Sequence, residues 1–241
     1  IGVALIAAFA VHALHVPRPL LDLRLYRRPT FSAASVAMFC LAAALFGAMI
    51  LLPLYWQEVR HESIVDTGLL TAPQGLGAAL AMPFAGKLSD RVGGGPVALF
   101  GVTVTALASI PFGLVGAHTS VVWLSIMMFV RGAGIGFGFM PAMTAAFASL
   151  ERSELSDATP QMNVLQRVGG SIGTAVLAVV LQRALIGAHT PAAQAAAYGT
   201  AFWASAVIAA LAIIPCIVLT RAERAARAAQ AVERDPPAEV L

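Results

Sequence analysis

The chain has 241 residues, of which 59% are hydrophobic and 11% charged, with a formal net charge of +3. A soluble chain carries about 45–50% apolar and about 25% charged residues, so too few charges remain here to coat a water-facing surface, and most of that surface must face lipid. A soluble enzyme, a disordered tail and a nucleic-acid-binding module are excluded on that ground, and the basic excess calls for a topological explanation before a nucleic-acid one.

The chain opens inside an apolar stretch, residues 1–16, with neither a basic region ahead of it nor a small-residue cleavage site behind it, so it is not a signal peptide. Sixteen residues are short for a bilayer span, which needs about 20. The expectation is the end of a preceding transmembrane helix, in a chain cut from a longer one. A polar linker, residues 17–30, follows. Six long apolar segments come next, at 31–56, 67–88, 96–116, 121–147, 164–186 and 200–220. Each is long enough to cross a membrane as a helix that satisfies its own backbone. Period-two alternation is absent, which argues against a β-barrel. The segments predict an all-α integral membrane protein in which short loops make consecutive helices antiparallel neighbours.

Basic residues give the orientation. Arg18, Arg24, Arg27 and Arg28 precede the first full span, Lys87 and Arg91 separate the second and third, and Arg152 separates the fourth and fifth. Arg221, Arg224, Arg227 and Arg234 lie in the tail, residues 221–241. All fall on one side, against Arg60 and Arg183 among Glu58, Glu62 and Asp66 on the other, and the positive-inside rule makes the first side cytoplasmic. The C-terminus is therefore expected in the cytoplasm. Tyr55, Trp56 and Trp123 fall near outer boundaries, where amphipathic rings prefer to sit. The longest connection, 149–163, reads as a polar crossover between two sets of three helices. The tail reads as a helix leaving the bilayer, over anionic lipid.

Cys40 and Cys216 sit far apart in apolar runs, which is neither a disulfide framework nor metal-ligand spacing. Gly86-Lys87-Leu88-Ser89-Asp90-Arg91-Val92-Gly93-Gly94-Gly95-Pro96 is a charged, glycine-rich turn. Gly86 would let two helix ends approach, Gly93 to Gly95 would supply freedom for the reversal, and Asp90 would sit near the positive end of the next helix. Arg131 lies mid-span, where a charge costs about 2.5–3.5 kcal/mol on insertion scales, so it should face the bundle interior or a wet cavity. It is either a partner for substrate or for a carboxylate outside this chain, or a structural arginine bonding carbonyls of neighbouring helices. Gly132, Gly134, Gly136 and Gly138 form small-x-x-x-small pairs on two adjacent faces, and Gly169 with Gly173 forms another, all suited to close helix packing. They do not fit a nucleotide-binding G-x-G-x-x-G. Gly169-x-Ser171-x-Gly173 matches a nucleophile elbow, but inside an apolar helix and with His12, His15, His61, His118 and His189 near membrane boundaries the hydrolase reading is weak. No catalytic residue is assigned. Gln74, Asn163 and Gln166 are polar positions at or within spans that must find partners in neighbouring helices or in a cavity. Asn163 could instead cap the fifth helix. Met38, Met49, Met82 and Met140 could furnish an adaptable apolar wall.

The turn at 86–96 resembles the G-x-x-x-D-R-x-G motif of the major facilitator superfamily. The linker Pro19-Leu20-Leu21-Asp22-Leu23-Arg24-Leu25 with Arg27-Arg28-Pro29-Thr30-Phe31 resembles the entry to the last six helices of fourteen-helix drug–proton antiporters. So do Leu52-Pro53-Leu54-Tyr55-Trp56-Gln57, Gly68-Leu69-Leu70-Thr71-Ala72-Pro73-Gln74-Gly75, Arg131-Gly132-Ala133-Gly134-Ile135-Gly136 and Asn163-Val164-Leu165-Gln166-Arg167-Val168-Gly169-Gly170-Ser171-Ile172-Gly173. The resemblance implies a six-helix bundle over 31–220 built of two inverted three-helix repeats, with a cavity lined by its first, second, fourth and fifth helices. Gln74, Arg131, Asn163 and Gln166 become substrate-cavity candidates, and Gly86, Lys87, Asp90, Arg91 and Gly93 a cytoplasmic gating loop. It further implies the C-terminal half of a secondary transporter that exports amphipathic drugs or other small molecules against a proton gradient, with no cofactor or metal, in the bacterial inner membrane. Its partners would be the bilayer, a small-molecule substrate and the N-terminal helical half, which would hold the proton-titrating carboxylate and the antiporter signature. Gly94 and Gly95 stand where the family's loop often has basic residues. An importer, a metabolite exporter or a non-transporting membrane partner subunit are the alternatives. A retinal receptor is a poor rival, because the sole lysine, Lys87, is not mid-span.

Overall fold

The computed structural model describes residues 23–116, 119–148, 150–151 and 154–234, with side chains to residue 228. The expectations for the partial helix 1–16, for Arg18, His12, His15, His118 and Arg152, and for the last residues of the tail lie outside the described residues. A 3-10 turn, Leu23–Arg27, leads into α1 (Pro29–Leu54), which widens into a π-helical turn, Tyr55–Val59. Then come α2 (Ile64–Val92), α3 (Gly94–Gly113), α4 (Val121–Ala148), α5 (Leu155–Leu185), α6 (Pro191–Leu211) and α7 (Ile213–Arg234).

Local sequence sets the starts. Pro29 occupies the first turn of α1 and Pro191 that of α6, positions where the missing N–H costs nothing. The Ser63 hydroxyl caps α2 by accepting from the Asp66 N–H at 3.1 Å, and Thr190 caps α6 by accepting from the Ala193 N–H at 3.2 Å. Between α6 and α7 the path breaks at Ala212. Pro215 lacks the N–H that would bond the Leu211 carbonyl, which explains the break.

Among the described residues, five stretches are long and apolar enough to cross a membrane: α1 with its π turn, α3, α4, α5, and α6 with α7. The expected second span, α2, has the length but not the apolarity, since Gln74, Pro73, Pro83 and a charged last turn dilute it. Three boundaries are corrected. α5 begins at Leu155, so most of the expected crossover is helix and Asn163 lies well inside it, not at its cap. The last span begins at Pro191, and beyond the break at Ala212 α7 carries it on to Arg234. The turn at 86–96 is helical to Val92, and the reversal takes Gly93 alone, at φ 102°.

Of the consecutive pairs, α3 and α4 pack closely and α5 meets α6, but the others do not. α1 barely touches α2, contrary to the expectation from short loops. Instead α1 packs on α5 and α2 on α4, while α3 fills in against α4 and α6, and α1 also meets α6 and α7. The first helix of each trio therefore lies against the second and third helices of the other. That exchange is the signature of two interlocked inverted repeats.

Two large cores result, one at each end, besides a small cluster of Ala44, Ala106 and Ala209. The first, around Leu25, Phe31, Ala98, Ala142, Ala145, Ala158, Cys216 and Leu219, is built mainly of small and aliphatic residues. It lies at the end that carries Arg24, Arg27, Arg28, Lys87, Arg91, Arg221, Arg224 and Arg227, the basic end. The second is aromatic: Tyr55 meets Trp56, Tyr198 and Phe202 edge-on, and Phe112 lies tilted against Phe202. Tyr55 and Trp56 are thus buried, not seated in the interfacial belt. The Tyr55 hydroxyl donates to the Gly116 carbonyl at 2.8 Å, and Arg60 stacks over the Trp56 ring. Trp123 is exposed as expected. Around the outside, Leu107, Ile110, Val207 and Ile214 present apolar side chains to lipid. Cys40 and Cys216 are free thiols.

Candidate functional site

Two helix pairs form the site, and small residues set how closely each pair approaches. On α4, Gly132 lies so near the Gln74 carbonyl that a Cβ would collide with it, and Gly136 faces Ala78 of α2. From the other side Gly77 meets the Phe129 carbonyl. Gly134 faces Thr105 and Gly101 of α3, while Gly138 faces Leu41 and Val102, so the four glycines serve two faces. On α5, Gly169 and Gly173 lie against the Phe39 and Ala43 carbonyls of α1. Backbone-to-backbone contact of this kind is how helices associate where lipid removes the hydrophobic driving force.

Between the pairs lies a cavity of about 690 Å³, lined by α1, α2, α4 and α5. Gln74, Asn163 and Gln166 all line it. So do Met38, Met49, Met82, Met128, Met140, Met143 and Met162, seven of the chain's eight methionines. Phe46 and Phe139 complete the wall, and no charged side chain lines it among the described residues. A thioether on an unbranched stem adapts its shape to different ligands and contacts aromatic rings favourably. Large apolar area with a few placed polar groups is the usual make-up of a small-molecule site.

Arg131 faces the bundle interior, where it takes the structural place among the two alternatives. It is 2% exposed and stands behind the wall, off the cavity. Its guanidinium donates to Ser109 Oγ of α3 at 3.0 Å, to Gln74 Oε1 of α2 at 2.8 Å and to the Ala44 carbonyl of α1 at 3.1 Å. One side chain thus ties α4 to three other helices. No carboxylate pairs with it among the described residues.

At the basic end, Lys87, Asp90 and Arg91 are exposed on the last turns of α2. A Cβ on Gly86 would meet nothing within 4 Å, so the close approach belongs to the three glycines that follow. The acid at the N-terminus of α3 is not Asp90 but Glu223 of α7, 8% exposed. It accepts from the Gly94 and Gly95 N–H groups at 3.1 and 2.6 Å and pairs with Arg227 at 2.9 Å. A carboxylate there meets both the unsatisfied donors and the positive end of the helix dipole. Glycine at 94 and 95 follows from this packing, since a Cβ on Gly94 would press Ala145 and one on Gly95 would press the Thr220 backbone. A second tie, Arg28 to Glu154 at 2.8 Å, joins the start of α1 to the start of α5. Ser171 lies within continuous α5, without the strand-to-helix turn that a nucleophile elbow requires.

Residues 7–174 match the model of the Major Facilitator Superfamily. The chain belongs to that superfamily. It is similar to a multidrug resistance protein B homolog of Mycobacterium tuberculosis strain H37Rv, 38% identical over 183 residues, 75% of this chain and 34% of that protein. It is also similar to the uncharacterized MFS-type transporter YcnB of Bacillus subtilis, 33% identical over 229 residues, 94% of this chain and 48% of that one. The lincomycin resistance protein LmrB of Listeria innocua is 32% identical over 180 residues, 75% of this chain and 38% of its own length. The chain thus spans a third to a half of the length of these curated relatives. As a facilitator-superfamily chain it is an all-α integral membrane protein.

Three features of this facilitator-type bundle went unread in the sequence. The carboxylate of Glu223 lies in a charged tail with no motif around it. Gly77 and Gly101 carry the same close-packing role as the recognised glycines, and the signal was there: Gly77 sits three residues after Gln74 on the same helix. Met128, Met143 and Met162 belong with the four methionines singled out, which only the packing of α4 and α5 brings to one wall.

Proposed function

We propose that this chain is the C-terminal half of a proton-coupled exporter, in which two six-helix bundles rock about a central cavity and pass amphipathic drugs or similar small molecules across the bacterial plasma membrane. The observation that carries the reading is the 690 Å³ cavity on the α1, α2, α4 and α5 face, apolar, methionine-rich and set with three amides. Two of the relatives described above are named for resistance to drugs, which supports export. The basic end would face the cytoplasm, as the positive-inside rule directs. There the Glu223 clasp on α3 and the Arg28–Glu154 tie would hold the bundle as one body while it rocks. The proton-titrating carboxylate would lie in the other half, since the described spans of this one line the cavity without an acid.

The test is efflux from cells expressing the whole reading frame that carries this chain. Preloaded dye and drug substrates should leave faster than from vector controls, and a protonophore should abolish the difference. Export that survives the protonophore and stops on ATP depletion would reject proton coupling. Accumulation in place of export would favour an importer.

A further inference from the structure

We infer that Arg131 fixes the Gln74 amide so that the cavity presents a hydrogen-bond donor there, which selects uncharged, polarisable ring systems bearing a carbonyl or similar acceptor over their cationic counterparts. The inference rests on reading the cavity as the ligand-binding surface.

A guanidinium has five donors and no acceptor. Whatever faces it must therefore be an oxygen, and Gln74 Oε1 lies 2.8 Å from Arg131. The other two Arg131 contacts, to Ser109 and to the Ala44 carbonyl, hold the guanidinium in place on the far side from the cavity. With the oxygen committed, the Gln74 NH₂ group is left to the cavity that Gln74 lines, and it has no protein partner among the described residues. Asn163 and Gln166 have no such anchor and can turn either end of their amides to a ligand, so Gln74 is the polar group with a fixed sense. The buried arginine adds a second bias. It carries a full positive charge next to the wall, without a carboxylate among the described residues to offset it, and low surrounding dielectric strengthens its field. A cation at Gln74 would meet a donor and a like charge. A neutral carbonyl would meet a donor and a favourable field. Methionine thioethers from α1, α2, α4 and α5 then supply an uncharged wall for the rest of a flat aromatic body.

The test uses two dyes with one ring system. Nile red carries a ring carbonyl where Nile blue carries an amino group, and Nile blue is a cation. Equilibrium binding of each is measured to the purified whole protein in lipid nanodiscs, with empty nanodiscs subtracted. Nile red should bind several-fold tighter than Nile blue. Gln74→Leu should weaken Nile red by about two- to tenfold, the range that one neutral hydrogen bond supplies. Gln74→Glu keeps the shape, still satisfies Arg131 and turns an acceptor to the cavity, so it should shift the preference toward Nile blue. Arg131→Met should shrink the ratio between the dyes by freeing the amide, a change that a purely structural arginine would not produce. Equal or tighter binding of Nile blue by the unmodified protein, no specific binding of either dye, or a ratio unmoved by Gln74→Glu would overturn the inference. Preferential Nile red binding without proton-driven efflux would instead sink the transport reading and leave this one standing.

Discussion

The pairs α2–α4 and α1–α5 occupy equivalent places in the two inverted repeats, yet they present different chemistry to the cavity between them. Both close through glycine against a neighbouring carbonyl, Gly132 on Gln74 in one and Gly173 on Ala43 in the other. Behind the α2–α4 wall stands Arg131, which commits the one amide in front of it. Among the described residues, no buried charge lies on α1 or α5. There Ser35 donates to the Met162 sulfur at 3.1 Å, a weak contact, and Asn163 and Gln166 have no side-chain partner among the described residues. One repeat geometry has thus yielded a rigid, polar-anchored wall and an adaptable one. Duplication fixes the backbone approach, and the side chains behind it decide what each wall can do.

The largest effects should come from the shared feature. Gly132→Val and Gly173→Val each drive a side chain into a backbone carbonyl that cannot turn away, and each should cost about 3 kcal/mol or more. Size-exclusion profiles and melting curves of the whole protein should show both variants aggregated or strongly destabilised. A well-behaved Gly173→Val beside a collapsed Gly132→Val would break the equivalence of the walls. Next, Arg131→Met removes three interhelical hydrogen bonds. Such bonds average about 0.6 kcal/mol each within membranes, so a loss near 2 kcal/mol is expected, with insertion retained. A melting temperature unchanged by Arg131→Met would mean that α4 is not anchored as described. Smaller again, Asn163→Ala and Gln166→Ala should leave stability within about 0.5 kcal/mol, as at sites free of buried partners. They should alter which compounds are exported, read as a changed resistance profile. Ser35→Ala should do least, with neither the melting curve nor the profile moving measurably.

Much of this was legible in the sequence, because lipid imposes strict rules. Length, apolarity and the side on which Arg24, Arg28, Lys87 and Arg221 fall are sufficient for helices and their alternation. Gly132 to Gly138 could be read as packing faces, because in a membrane small residues are the contact surface. The cost of a buried charge marked Arg131 as interior, but not which side of the wall it occupies. That depends on Ser109, 22 positions away, and on Ala44, 87 away. Glu223 was illegible for the same reason, since its partners Gly94 and Gly95 lie 129 and 128 residues back. Tyr55 and Trp56 misled because hydropathy locates a ring along a helix and says nothing of the face it takes. The start of α5 at Leu155 was hidden by a polar first turn, where Glu154 and Asp157 read as loop but suit the positive end of a helix.

The methionine distribution also gives the molecule a built-in set of reporters. Seven of eight methionines border the cavity, while Met127 packs against the aromatic core and does not line the cavity. In protein labelled with carbon-13 only at methionine methyl groups, nearly every signal this chain contributes would come from the cavity wall. The resonance of Met127 would serve as an internal standard. A ligand that seats in the cavity should therefore shift a cluster of methyl peaks while Met127 stays still, and a change in the whole bundle's packing should move them together.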